Sequence, residues 1–220
     1  MKGLKFLIIL LVLSCGNERI VQLPEVEQSE IAEVLDVSPA YIFYDPTASD
    51  STKFNRKNLI GTTNWLVNVD KRLSLKQVVP HLKYLQAKRE KKGMHTNVAA
   101  KNYFTCNDIA QSTLGFLDFT DIKFHDSNEL LSTDNGICIM RINSLNDVSL
   151  SMIPDLNMEF SKENLRSILV GLGEEEPDAA ITLVLHFNKG LSFQDYITVK
   201  SELRKIKPKK INIDSRELFY

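Results

Sequence analysis

The sequence predicts an α+β fold made of two related units, each a small mixed sheet with its helices packed on one face. The first observation behind this prediction is a segment that occurs twice: residues 66–79 align without a gap on residues 184–197. Each copy reads as an apolar strand, a polar strand end, a turn with a lysine, and a Leu-Ser pair that starts an amphipathic helix. The second observation is the alternation of strands and helices, which favours such a layered architecture.

The first fifteen residues have the layout of a secretory signal. Lys2 and Lys5 form a short cationic region, residues 6–13 are apolar, and the small residue Ser14 precedes Cys15. A permanent membrane-spanning helix needs roughly 20 apolar residues, so this run is too short to be one. The sequence therefore predicts that residues 1–14 are a cleaved signal peptide.

Residues 12–15, Val-Leu-Ser-Cys, resemble the bacterial lipobox, in which the cysteine becomes the acylated first residue of the mature protein. This resemblance implies that Cys15 carries the lipid, and that the protein is anchored in a membrane without spanning it. The alternative is an ordinary cleaved signal with an incidental cysteine. Residues 15–38 are polar and include Pro24, as is typical of a tether. Gly16 differs from the aspartate that retains lipoproteins at the inner membrane, so we expect an outer-membrane lipoprotein on the periplasmic face.

The first unit, with a connector, is predicted over residues 39–125. A short helix is expected just before it, over residues 29–37, and strands are expected over residues 40–44 and 65–69. Ser74 is a suitable N-cap for a long helix, in which Pro80 should produce a kink and which Gly93 should end. Its buried face is predicted to comprise Leu75, Val78, Val79, Leu82 and Leu85. Residues 101–135 read as two short strands, at 103–106 and 122–124, within a connector.

The second unit is predicted over residues 126–220 and has clearer boundaries. Residues 137–142 and 148–153 indicate a β-hairpin, and residues 179–187 form the most apolar strand. Ser161 and Ser192 are predicted to cap two helices, the first ended by Gly171 and Gly173, and a last strand follows at 210–213. The resulting order is β-β-α-β-α-β. The first unit repeats it in shortened form, with its first helix brief or missing.

The run from residue 177 to residue 213 resembles the periplasmic domain of the ExbD/TolR family. The resemblance is carried by a strand closing on Phe187-Asn188, the turn Lys189-Gly190-Leu191-Ser192-Phe193, an apolar helix and a short final strand. Residues 69–79, with Asp70 at the strand end, fit the same pattern. Members of this family are partners of proton-driven motors whose periplasmic domains dimerise, and in the TolR branch these domains engage peptidoglycan.

One departure from the family limits what the resemblance implies. Its members have a transmembrane helix with an aspartate for proton coupling, whereas residues 6–13 are too short and contain no acidic residue. The resemblance thus implies a fold, a homodimer and an interaction role, but not the motor role.

Two basic clusters follow the two long helices and are the candidate binding residues. A cation at a helix C-terminus is stabilised by the helix dipole, which explains part of the pattern. A solvated face is the alternative that we favour, and contact with lipid headgroups or an anionic wall polymer is the other. The clusters are Lys88, Arg89, Lys91 and Lys92, and Arg204, Lys205, Lys207, Lys209 and Lys210.

The remaining polar residues are expected to have structural roles. Export would allow a disulfide between Cys106 and Cys138, although two separate buried thiols are the favoured alternative. Asp70 and Asn188 occupy equivalent strand ends, where they can close a turn or contact a ligand. The four histidines are too scattered for a local metal motif, and no nucleotide or hydrolase motif is present, so no catalytic residue, metal or cofactor is predicted.

The formal net charge is −1, which gives the chain no general affinity for nucleic acid. We therefore expect a lipid-anchored, non-catalytic interaction module of the bacterial cell envelope that binds a protein partner or peptidoglycan. An accessory subunit of an envelope transport or motor complex is one alternative. An exported enzyme, with a site assembled from residues distant in sequence, is the other.

Overall fold

The computed structural model describes residues 19–91, 97–126, 137–152, 156–175, 181–206 and 211–220. In these ranges the chain forms two mixed six-stranded sheets and three α-helices, which agrees with an α+β class. The predicted signal peptide and Cys15 lie outside the described residues, as do Gly93 and His95.

The first sheet has the strand order β1-β5-β4-β2-β3, and β6 also pairs with β5, from Tyr103 to Asp108. Strands β2, β4 and β5 run parallel, while β3 and β6 pair antiparallel with β2 and β5. The long helix α1 connects β4 to β5. The elements are β1 (Glu25–Val26), β2 (Val37–Tyr44), β3 (Thr52–Asn55), β4 (Asn64–Val69), α1 (Leu75–Glu90), β5 (Asn102–Asp108) and β6 (Thr113–Asp118).

The second sheet has the strand order β10-β9-β8-β11-β12-β7. Strands β8, β11, β12 and β7 run parallel, and β9 and β10 extend the sheet antiparallel. Its elements are β7 (Lys123–Asp126), β8 (Ile137–Ser144), β9 (Asp147–Met152), β10 (Leu156–Phe160), a 3₁₀ turn (Lys162–Asn164), α2 (Leu165–Glu175), β11 (Ile181–Phe187), α3 (Phe193–Ile206) and β12 (Ile211–Phe219).

The two sheets repeat one topology. The first contains the order β3-β2-β4-β5 and the second the order β9-β8-β11-β12, each with a hairpin followed by two parallel strands. Helix α1 precedes β5 as α3 precedes β12. The first unit has turns and irregular chain between β3 and β4, where the second has β10 and α2, so its first helix is missing as the sequence predicts.

The repeated segments also contact each other. The amide of Leu75 donates to the carbonyl of Leu191 at 2.8 Å, and the amide of Phe193 donates to the carbonyl of Leu73 at 2.7 Å. Each bond is the counterpart of the other, since Leu73 corresponds to Leu191 and Leu75 to Phe193 in the repeat. A local two-fold relation therefore holds at this seam between the units.

A single hydrophobic core extends across both units. Phe104 of β5 stacks on Phe119 with ring centroids 3.9 Å apart, and it meets Phe193 of α3 edge-on at 5.2 Å. Phe124 of β7 packs near Phe219 of β12 at 5.8 Å. The connector strands contribute to this arrangement, because β6 pairs with β5 and β7 pairs with the equivalent strand β12.

The segment before β2 differs from the prediction. Residues 29–37 do not form a helix; Ile31 pairs with Phe116 of β6, and the amide of Ser29 donates to the Asp108 carboxylate at 2.8 Å. Gly115 makes this contact feasible, because a Cβ there would lie 2.5 Å from the Ser29 Cβ. The apolar spacing of this segment indicates a helix, but its contacts with residues distant in sequence hold it in an extended conformation.

Three element boundaries also differ. Helix α1 begins at Leu75 and ends at Glu90, before the predicted stop at Gly93, and contains the exposed Pro80 in its interior. Helix α2 passes through Gly171 and ends at Glu175. Strand β12 continues to Phe219, well beyond the predicted residue 213, because β7 and β11 pair along its second half.

Candidate functional site

Asp70 and Asn188 close equivalent turns at the ends of β4 and β11. The Asp70 carboxylate accepts the amide of Arg72 at 3.1 Å, and the Asn188 side-chain oxygen accepts the amide of Gly190 at 2.7 Å. The backbone amides of Asp70 and Asn188 donate to the backbone carbonyls of Ile42 and Ile142, which are equivalent residues of β2 and β8. Both side chains are therefore part of the turn structure.

Asp70 is also the centre of a buried ionic contact. Its carboxylate is fully buried and accepts both the guanidinium of Arg72, at 2.8 Å, and the backbone amide of Gln22, at 3.2 Å. Burial alone would raise the pKa of Asp70, but these bonds outweigh it and hold the pKa below its usual value. Arg72 in turn lies over the ring of Tyr44, 4.5 Å from its centroid.

In the first basic cluster, Arg89 is turned toward the protein. Its guanidinium lies 3.7 Å from the centroid of Trp65 and donates to the carbonyl of Thr63 and the side chain of Asn102. Burial lowers the pKa of Arg89 to about 10. Lys88 is half-buried, with its ammonium 5.9 Å from the Trp65 centroid, Lys91 is exposed, and Lys92 lies outside the described residues.

The second basic cluster is partly engaged in the same way. Arg204 donates to the backbone carbonyl of Asp118, and Lys205 forms ion pairs with Glu27 at 2.7 Å and Glu202 at 2.9 Å. Lys207, Lys209 and Lys210 lie outside the described residues. Arg89 and Arg204 thus connect elements within the fold, and a ligand-binding role for the remaining lysines stays a prediction.

The two cysteines of the folded region are separate, buried thiols. Cys106 lies on β5 of the first sheet and Cys138 on β8 of the second, and no bridge joins them. Burial raises the pKa of the Cys106 thiol to about 12 and that of the Cys138 thiol to about 11. The disulfide considered from the sequence is therefore not formed, and both thiols are poorly reactive in the folded protein.

Two histidines are partly or fully enclosed. His81 on α1 is half-buried, and its Nε2 lies 3.1 Å from the hydroxyl of Thr52, which also donates to Asp50 at 2.8 Å. Burial lowers the pKa of His81. His186 on β11 is 8% exposed, and its Nε2 has no hydrogen-bond partner among the described residues. Burial, assisted by the nearby Arg141, lowers the pKa of His186 to about 4.

The outer face of the first sheet, which we define by Pro39, Tyr41, Phe43 and Leu66, is apolar and accessible. On β2 these residues alternate with the buried Ser38, Ala40 and Ile42, so they point away from the core. Each of the four is partly exposed. The strand register places Pro39 beside Leu66 and Tyr41 beside Asn68, so the accessible apolar surface spans β2 and β4, while Tyr103 of β5 beside Leu66 is buried.

Ring contacts organise this outer face. Tyr41 and Phe43 stack with centroids 5.5 Å apart and an interplanar angle of 13°. The four side chains of this face lie on β2 and β4 and are partly exposed within the described part of the chain, whereas Tyr103 on β5 is buried. The outer face of the first sheet is therefore a candidate interaction surface.

One stretch of the sequence indicates this surface. Residues 40–44, Ala-Tyr-Ile-Phe-Tyr, are apolar or aromatic at every position instead of alternating with polar residues. Such a run indicates a strand that is apolar on both faces. Neither the repeat nor the basic clusters indicates it.

Within the ranges that the structure describes, no three histidine, cysteine or acidic side chains come close enough to hold a metal ion. No helix in those ranges is long and apolar enough to span a membrane.

The chain was compared with protein-family models, curated proteins and solved structures. No family model, no curated protein and no solved structure matches it.

Proposed function

We propose that this protein is a lipoprotein of the bacterial cell envelope that is anchored through Cys15 and acts as a non-catalytic interaction module for a protein partner. The observation that carries the interaction role is the outer face of the first sheet. Its four apolar side chains are partly exposed on the neighbouring strands β2 and β4. Covering this face with a partner would remove apolar surface from water.

The partner chemistry follows from the composition of this face. Its partly exposed residues are apolar, with the buried Asn68 beside Tyr41, and its border on the edge strand β3 carries the polar residues Lys53 and Asn55, which pair with Phe43 and Tyr41. An apolar core with a polar rim is the usual anatomy of a protein–protein interface. We therefore expect the partner to present an apolar surface of its own.

The resemblance to the ExbD/TolR periplasmic domain supports an envelope role. The second unit has the strand and helix order on which that resemblance depends, with additional strands β10 and β7. Peptidoglycan is the other partner that the resemblance implies. The stacked rings of Tyr41 and Phe43 would suit a sugar ring, which makes wall binding the second candidate for the same face.

The anchor is tested by Cys15→Ala. The variant should move from the membrane fraction to the soluble fraction after cell lysis, because the acyl attachment site is lost. Retention of the variant in membranes would contradict the anchor assignment.

The interaction face is tested by site-specific photo-crosslinking in intact cells. A photoreactive residue at Tyr41 should give a discrete adduct, whereas the same residue at Tyr84, exposed on α1, should not. Leu66→Lys, whose side chain lies on the same face, should abolish the Tyr41 adduct without changing the thermal stability. Equal adducts at Tyr41 and Tyr84, or a Tyr41 adduct unaffected by Leu66→Lys, would contradict the proposal. If the purified protein sediments with peptidoglycan and this sedimentation requires Tyr41, then this face binds the cell wall instead of a protein.

A further inference from the structure

We propose that the end of the first sheet at which the chain enters the fold lies against the membrane headgroups, where its arginines contact anionic lipid. We call this end the anchor-proximal face and define it by Arg19, Tyr44, Pro46 and Arg72. The inference rests on the proposed acylation of Cys15, and it adds the orientation of the protein on the membrane and the lipid class that it contacts.

The path of the chain places its entry point at one end of the sheet. Arg19 pairs with Asp45 at 3.1 Å, and the amide of Gln22 donates to Asp70 at 3.2 Å. Asp45 follows β2 and Asp70 follows β4, and these two strands are parallel. The chain therefore enters at the carboxyl ends of the parallel strands.

The length of the connection holds this end near the bilayer. A fully extended chain spans at most about 3.6 Å per residue, so Cys15 lies within about 14 Å of Arg19 whatever conformation the residues between them adopt. The headgroup region on each side of a bilayer is itself about 5 to 8 Å thick. An acylated Cys15 would therefore keep the anchor-proximal face within reach of the headgroups.

The ion pairs on this face have their cations outside and their anions inside. The Arg72 side chain is 43% exposed while its partner Asp70 is 0% exposed. The Arg19 side chain is 50% exposed while its partner Asp45 is 9% exposed. An approaching surface would thus meet guanidinium groups, whose N–H groups also bind phosphate oxygens, although Arg72 directs its Nε and Nη2 at Asp70. Two more exposed carboxylates lie in this region: Glu25 is paired with Lys71 at 2.6 Å, and Asp50 accepts the amide and the hydroxyl of Thr52.

Tyr44 adds an aromatic contact at the same place. Its side chain is 37% exposed, and Arg72 lies 4.5 Å from its ring centroid. Tyrosine is enriched at membrane interfaces because its ring is apolar while its hydroxyl remains hydrated. The two ion pairs with exposed arginines, together with this tyrosine, suit contact with a layer of anionic headgroups.

The test is hydroxyl-radical footprinting of the acylated full-length protein on vesicles of phosphatidylethanolamine containing phosphatidylglycerol. Tyr84 is the matched control, because it is 42% exposed and also has an arginine, Arg56, over its ring at 4.0 Å. It lies about 14 Å along α1 from the first residue of that helix. The reference is the Cys15→Ala variant mixed with the same vesicles.

Oxidation of Tyr44 should fall several-fold in the acylated protein relative to Cys15→Ala, while oxidation of Tyr84 should not change. Equal protection of the two tyrosines, or of neither, in a protein whose mass shows acylation overturns the proposed orientation and leaves the anchor intact. A mature protein without acyl mass overturns the anchor and the orientation together. On vesicles of phosphatidylcholine alone the protection of Tyr44 should be weaker, and equal protection there overturns the role of the arginines.

Discussion

Ser74 lies directly opposite Ser192 in an antiparallel bridge between the two units, and the two serines are the same position of the repeat. Each serine also belongs to the cap of its own helix. The amide of Ser74 donates to the side-chain oxygen of Gln77 at 2.8 Å, while the Ser192 hydroxyl accepts the amide of Asp195 at 3.0 Å. The repeated segment, which indicates that the two units are related, therefore also forms a contact between them.

Glu217 is the first residue whose replacement should destabilise the protein strongly. It is fully buried on β12, accepts the Tyr196 hydroxyl at 2.8 Å and is paired with Lys200, so it fastens α3 to the second sheet. Glu217→Ala would leave the other two groups enclosed without their partner, which costs about 3–5 kcal/mol of unfolding free energy. Urea unfolding measures this cost. Glu202→Ala, which breaks a more exposed pair on α3, should cost less than about 1 kcal/mol.

Asp70→Asn should reduce the acid sensitivity of the protein while preserving the turn. The second unit has Asn188 at the equivalent position and makes the same turn bond, so the fold tolerates the amide. Because the pKa of Asp70 is lowered in the folded state, its ionic contribution is present above the unfolded pKa of about 3.9 and is lost as the pH falls through the folded value. The wild type should therefore lose more stability than Asp70→Asn between pH values of about 5 and 2. Equal acid dependence would contradict this assignment.

His186 should make stability fall at a higher pH than Asp70 does. Its folded pKa of about 4 lies below the unfolded value of about 6.5, so the unfolded chain binds the proton first. Stability should therefore decrease as the pH falls from about 6.5 to about 4, by an amount on the order of 3 kcal/mol. The variant His186→Leu should lack this decrease in urea titrations at pH values of about 7 and 5. If the unfolding free energy of His186→Leu falls with pH as steeply as that of the wild type, His186 does not cause the decrease.

Arg89 and Lys88 provide a direct comparison within one predicted basic cluster. The guanidinium of Arg89 is enclosed between Trp65 and three carbonyl oxygens, those of Gly61, Thr63 and Lys101, besides Asn102. Arg89→Ala should cost about 2–3 kcal/mol of unfolding free energy, as expected for the loss of charged hydrogen bonds. Lys88→Ala should change it by less than about 0.5 kcal/mol. Similar costs for the two variants would show that the contacts of Arg89 contribute little.

The sequence could predict the elements whose local signals agree with their tertiary contacts. The helices that begin after Ser74 and Ser192 combine a cap with an apolar face, and the hairpin of β8 and β9 has a polar turn between apolar strands. Strands β1 and β6 have weak local signals. Strand β1 forms because Glu25 and Val26 find partners at Asn107 and Asp108, about 80 positions away in the chain, and β6 forms by pairing antiparallel with β5, the strand just before it.

The candidate interaction surface was less predictable than the fold. The pattern of residues 40–44 shows that both faces of β2 are apolar, but which face is covered depends on where α1 and the second unit pack. The basic clusters illustrate the opposite problem. Arg89 and Lys88 are adjacent in sequence and both half-buried, and only the three-dimensional structure shows that Arg89 donates hydrogen bonds to the carbonyls of Thr63 and Lys101.

The shared core predicts that the two units unfold together. Phe104 of the first unit packs on Phe193 and Tyr196 of the second, so neither unit can open without exposing the aromatic surface of the other. Cys106 and Cys138 are buried thiols, one in each unit, and in a Cys15→Ala background they report on the two units separately. Pulsed thiol labelling across a urea series should give the same midpoint for both cysteines.

Phe193→Ala extends the same test. The substitution removes a fully buried ring and should cost about 3–5 kcal/mol. If the units are coupled, it must lower the midpoints of Cys106 and Cys138 by equal amounts, although the substitution lies in the second unit only. A shift confined to Cys138, or two separate midpoints in the parent protein, would mean that the duplicated units are independent domains and that the seam at Ser74 and Ser192 contributes little to their association.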